Sequence, residues 1–139
     1  MGYNRPSCYA LTICFTTSNP LDGATIFWGA FNTAVTSSVG VSKILIPRKG
    51  FIRACVVHTY SATVNGTNED WPLSIRLNNT TDYPVATVGL SATSRTFENY
   101  NLMIPVGQGE YIDMKFVNPT WVTNPEGVRG WGYLLIECE

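Results

Sequence analysis

Few side chains in this sequence have much chemical scope. There is one histidine, His58, and there are four cysteines, Cys8, Cys14, Cys55 and Cys138. Acid–base or nucleophilic catalysis would need His58 beside a Ser or Cys, with an acid to orient it. His58 instead falls in a strand-like run, on the same side as Val56 and Tyr60. That pattern favours a hydrogen-bonded sheet or interface histidine. No two cysteines form a C-x-x-C pair, and with one histidine the paired cysteine and histidine spacings of a zinc site do not occur. Cys55 and Cys138 lie inside apolar runs, where a buried free thiol is expected. Glu69 and Asp70 are adjacent in a turn-like segment, and neighbours seldom face each other as a glycoside-cleaving pair must. The expectation is a protein without catalytic residues, cofactor or metal.

Binding chemistry is the other prospect. "NNTTD" places the oxygen donors Asn78, Asn79 and Asp82 close together. Such donors suit calcium, but no comb of ligands at regular spacing accompanies them. A hairpin turn selects the same residues, because Asn and Asp tolerate left-handed backbone and bond to it locally. The glycosylation pattern N-x-S/T occurs at Asn65, Asn78 and Asn79, all in Asn/Thr-rich loops that generate it readily. Four tryptophans and seven tyrosines offer rings that stack on sugars or fill an interface. Trp71, before Pro72, and Trp121, after Pro119, read as loop residues. With Asn79 and Asp82 they are the candidate ligand-binding loops, and the alternative for both tryptophans is to cap an open end of the fold.

The elements that must position these residues read as strands. The chain has 139 residues with 45% hydrophobic and 14% charged, which excludes a disordered chain and suits one domain over residues 1–139. Net charge is −1 with scattered Lys and Arg, so the basic stripe of a nucleic-acid binder is absent. The N-terminus carries no leader pattern, and no segment reaches the length of a membrane span. Short β-rich runs alternate with turn signals about every ten residues, and about nine strands are expected. They are residues 9–17, 24–31, 41–47, 51–62, 72–77, 83–90, 99–106, 110–117 and 131–139. Residues 1–20 form an N-terminal arm or first strand. Antiparallel strands in this number predict a two-sheet jelly-roll sandwich.

Two runs break the pattern of one apolar and one polar face. In the last, Leu134, Ile136 and Cys138 form one face, while Trp131, Tyr133 and Leu135 form the other with only Glu137 to wet it. Residues 54–60 are likewise apolar on both sides. A strand apolar on both faces needs two covers, and in a single sandwich the second is another subunit. Tyr133, Leu135, Trp131, His58 and Tyr60 are the expected contacts.

"NYNLMIPVGQGEYIDMKF" and the closing "GWGYLLIE" resemble the trimeric jelly rolls of the tumour necrosis factor and complement globular-head superfamily. More broadly, "IPRKGFIRACVVHTYSA", "SIRLNNTTDYPVATVG" and "VNPTWVTNPEGVRGWGYLLIE" are similar to phage and metagenomic virion-surface proteins of that architecture. The resemblance covers roughly residues 41–139 and rests on pattern, with no invariant motif. It implies a homotrimer with the last strand at the three-fold axis, on a virion surface, serving as capsid decoration or tail-fibre head. The partners implied are further copies of itself and a capsid lattice or host receptor. The alternative is a carbohydrate- or receptor-binding module of a tail fibre or bacterial surface protein. The stalk that usually precedes such heads is not seen, which favours a stand-alone subunit or an excised head.

Overall fold

In the computed structural model, residues 8–17, 22–28, 43–62, 69–89 and 93–139 are described, with backbone alone for residues 13–17. They form ten strands: β1 Cys8–Thr17, β2 Thr25–Trp28, β3 Ile44–Leu45, β4 Gly50–Tyr60, β5 Asp70–Leu77, β6 Thr81–Gly89, β7 Ser94–Asn99, β8 Ile104–Val106, β9 Tyr111–Val117 and β10 Val128–Cys138. The Asn65-Gly66 turn, the glycosylation pattern at Asn65 and the Cys14 side chain lie outside the described residues.

Every strand pair is antiparallel. One sheet has the order β1-β10-β4-β7, with β8 also on β4, and the other has the order β2-β9-β5-β6, with β3 also on β9. The pairs β1·β10, β2·β9, β4·β7 and β5·β6 are successive rungs of one long antiparallel ribbon. Rolling that ribbon up adds the contacts β10·β4 and β9·β5. This is the jelly-roll topology.

Alternation sets which faces meet. Leu73 and Ile75 of β5, Ile112, Met114 and Phe116 of β9, and Leu134 and Ile136 of β10 are all buried between the sheets. An aromatic cluster fills one end of the core. Trp28 stacks on Phe116 at 4.1 Å, and Trp71 packs edge-on against Phe97 at 5.8 Å and Trp121 at 5.6 Å. Burial of such rings supplies much of the apolar driving force for folding, with roughly 0.5–1.5 kcal/mol per ring pair beyond the area term.

Two expectations about strands need correction. Ser94–Asn99 forms β7, where only a connection was expected. The expected strand 99–106 shrinks to Ile104–Val106, because the Asn99 side chain bends the chain: its amide donates to Val85 O at 3.1 Å and its oxygen accepts from Asn101 N at 2.9 Å.

Candidate assembly surface

The outer face of the β1-β10-β4-β7 sheet is built by register. Residues directly opposite in an antiparallel ladder point to the same face. Trp131 lies opposite His58, which lies opposite Thr96, and Tyr133 lies opposite Val56, which lies opposite Glu98. Leu135 lies opposite Ala54 and Arg129 opposite Tyr60. The result is a patch of Tyr60, His58, Trp131, Val56, Tyr133, Ala54 and Leu135. Thr12 and Ala10 of β1 flank it on one side and Thr96 and Glu98 of β7 on the other. Between Leu135 and Ile136 the register shifts, so that Ile136 faces Ile52 and Arg53 is the extra residue of a β-bulge in β4. The Arg53 guanidinium lies 3.9 Å from the Glu137 carboxylate and closes the polar end of the patch.

The rings are open to solvent. Trp131 is 48% exposed, Tyr60 41% and Tyr133 39%. The His58 ring centre lies 4.8 Å from that of Trp131, and its Nδ1 is 2.9 Å from Thr96 Oγ1. That hydroxyl and that indole fix the imidazole in the patch, as expected for a histidine in a sheet. Gly132 makes the close approach of β10 to β4 possible: a Cβ there would run into the Val56 carbonyl oxygen.

On the outer face of the other sheet Leu45 and Val117 are exposed beside a cluster of paired charges. Asp82 accepts from Lys115 at 2.6 Å and from Arg76 at 3.3 Å, and Arg76 also donates to Asn79 O at 3.1 Å. Such exposed pairs contribute little stability, but they satisfy the face. The half-exposed rings of Trp131, Tyr60 and Tyr133 thus lie on the first sheet, and the paired charges around Asp82 on the second.

The candidate ligand-binding residues fall out differently. Trp71 is not in a loop. It lies in β5, is fully buried, and donates its indole N–H to Asn118 Oδ1 at 2.9 Å. Trp121 is 4% exposed and packs on Trp71. Neither ring can stack on a sugar without unpacking the core. Pro72 misled because it resembles a strand breaker. β9 pairs with β5 only from Leu73 onward, so the missing N–H of Pro72 breaks no rung on that side. Asn78 and Asn79 adopt positive φ, 49° and 57°, in the β5–β6 turn. Asp82 opens β6 with its carboxylate engaged by Arg76 and Lys115. These residues form a hairpin turn.

A shallow cleft of about 370 Å³ opens where Phe51, Tyr83 and Pro105 meet. Its charged groups are engaged: Lys49 pairs with Glu139 at 2.8 Å, and Glu110 accepts from Gly107 N at 2.6 Å and from the Asn78 amide at 3.1 Å. Cys8 is exposed, while Cys55 and Cys138 are buried free thiols, as expected. Burial pushes the Cys55 thiol up to about 12. A residue the sequence reading missed is Arg95, nearly buried, with its guanidinium 5.6 Å from the Trp71 ring centre. Burial lowers it to about 10, which leaves it charged at neutral pH. Among the described residues no group of three or more His, Cys, Asp or Glu could hold a metal ion, and no helix is long and apolar enough to cross a membrane.

Fold and surface together define a jelly-roll sandwich with an aromatic outer face on one sheet. No family model and no curated protein matches the chain. Among solved structures it is similar to a chain in the structure of infectious bursal disease virus, Gx strain, with a TM-score of 0.53 over 97% of this chain at 16% identity. At that identity the likeness is one of fold. The match takes in 32% of the viral chain, so this chain spans about a third of its length.

Proposed function

We propose that the protein is a non-enzymatic structural component of a virion, a phage surface protein that acts as a homotrimer by assembly and binding. The aromatic outer face of the β1-β10-β4-β7 sheet carries this reading. Burying Trp131, Tyr133 and Leu135 against neighbouring copies at a three-fold axis would remove apolar surface from water, with His58 and Tyr60 at the margin. A single large side chain contributes roughly 1.5–3 kcal/mol when fully buried. The fold shared with a chain of infectious bursal disease virus supports a virion component. The paired charges of the opposite sheet leave it the better candidate for the solvent side.

Between the two roles, capsid decoration fits better than fibre head. With Trp71 and Trp121 in the core and the "NNTTD" residues in a turn, the loops that a receptor- or glycan-binding head would use lose their best candidates.

Acrylamide quenching of tryptophan fluorescence tests the covered face directly. Trp28, Trp71 and Trp121 are buried, so Trp131 dominates the quenchable signal. The quenching constant is expected to be low at micromolar concentration and to rise on dilution. A high constant that does not change with concentration would mean that the face is never covered.

A further inference from the structure

A sheet edge is a template for another strand, and proteins guard their edges with charge, proline, bulges or shortness. Two of the edges among the described residues are guarded. β6 carries Asp82, Pro84 and a bulge, and β7 carries Arg95 and Glu98. β1 is different. It is ten residues long, "CYALTICFTT", without charge, proline or glycine. Its register with β10 runs unbroken from Cys8↔Glu137 to Thr17↔Val128. Among the described residues β1 pairs with β10 alone, so alternate residues along it direct their N–H and C=O groups away from the sheet.

We propose that β1 pairs edge to edge with β1 of a second copy, antiparallel and about a two-fold axis. The strand is self-complementary in the way such pairing needs. It has no charge to oppose its own image, and like charges directly opposite are destabilising. Parity restricts the register further. Residues directly opposite must both turn their backbone groups to the shared edge, so their numbers must differ by an even count. The two-fold axis therefore passes through a residue and not between two. Centred on Thr12, the pairing runs over residues 8–16 and sets Thr12, exposed on the outer face, against its own copy. Cross-strand Thr–Thr pairs are favourable. The joined sheets then form one sheet of twice the width, with the aromatic face still open on both halves.

This contact goes beyond the trimer and does not depend on it. The edge pairing uses backbone in the plane of the sheet, and the trimer uses side chains above it. A two-fold and a three-fold interface on one subunit together generate a lattice or closed shell.

The test is native mass spectrometry and sedimentation of the full chain carrying Tyr133→Asp and Leu135→Asp, which removes outer-face association. That protein is expected to be a dimer at tens of micromolar. Its β1 amides should become slower to exchange with deuterium as concentration rises. Adding Thr12→Lys should weaken the dimer roughly tenfold or more, and Thr12→Ser should restore it. Ala10→Lys serves as a second guard should Thr12→Lys fail to fold by circular dichroism. A monomer whose β1 exchange is the same at all concentrations would overturn the proposal. A wild-type chain that forms only dimers would support the edge contact while removing the trimer.

Discussion

The imidazole of His58 lies against the indole of Trp131, ring centres 4.8 Å apart and planes inclined at 53°, on the outside of the sandwich. The strands β4 and β10 that carry them pair directly at these two residues. The Thr96 contact fixes the imidazole, and the imidazole backs the indole, before any partner arrives, which lowers the ordering cost of association.

Trp131→Ala should therefore separate folding from assembly. The residue is half exposed, so its loss should change folding stability by no more than about 1 kcal/mol. Loss of a central aromatic anchor should weaken subunit association by about 2 kcal/mol or more. Thermal melts of the dilute chain and sedimentation at graded concentration measure the two effects separately.

Asn118→Ala should act on folding alone. It removes the acceptor of the buried Trp71 indole N–H. An unsatisfied buried donor costs about 1–3 kcal/mol, to be read as a lower denaturant midpoint with an unchanged slope.

Gly132→Ala should be worse than its size suggests. The added methyl would meet the Val56 carbonyl and the Val57 Cα, both backbone and unable to rotate away. A loss of about 3 kcal/mol is expected, at the upper end for overpacking, with the β10–β4 amides losing protection from hydrogen exchange.

Cys55 should be silent to thiol reagents until the protein unfolds, whereas exposed Cys8 reacts at once. Its pH effect has a definite sign. The folded thiol is held neutral to about 12, above the ordinary 9.0. The unfolded chain loses this proton first, so the contribution is complete below the ordinary value and is lost as pH rises towards 12. The steepest slope is about 1.4 kcal/mol per pH unit. Cys55→Val should flatten the alkaline fall in stability.

Where alternation was regular, the fold was legible in the sequence. Ile112, Met114 and Phe116 point inward as their spacing predicts, and so do Leu134, Ile136 and Cys138. β7 was hidden because its inward positions are Arg95 and Phe97, and a buried arginine breaks the apolar alternation. Trp71 was misplaced because the following Pro72 signals a loop locally, while the register with β9 that tolerates it is a long-range property. The aromatic surface was legible because a strand apolar on both faces is unusual whatever its neighbours. The bulge at Arg53, which keeps Ala54 in line with Leu135, left no such mark.

In the proposed function the outer face of β10 holds copies of the chain together. Sedimentation equilibrium of the wild-type chain beside Tyr133→Asp/Leu135→Asp tests it most directly. The wild-type chain is expected to have a mass of three, or a multiple of three, times 15.3 kDa. The double variant is expected to lose three-fold association with an unchanged far-ultraviolet circular dichroism spectrum. A wild-type chain that is a monomer at micromolar concentration, or a double variant that remains a trimer, would contradict it.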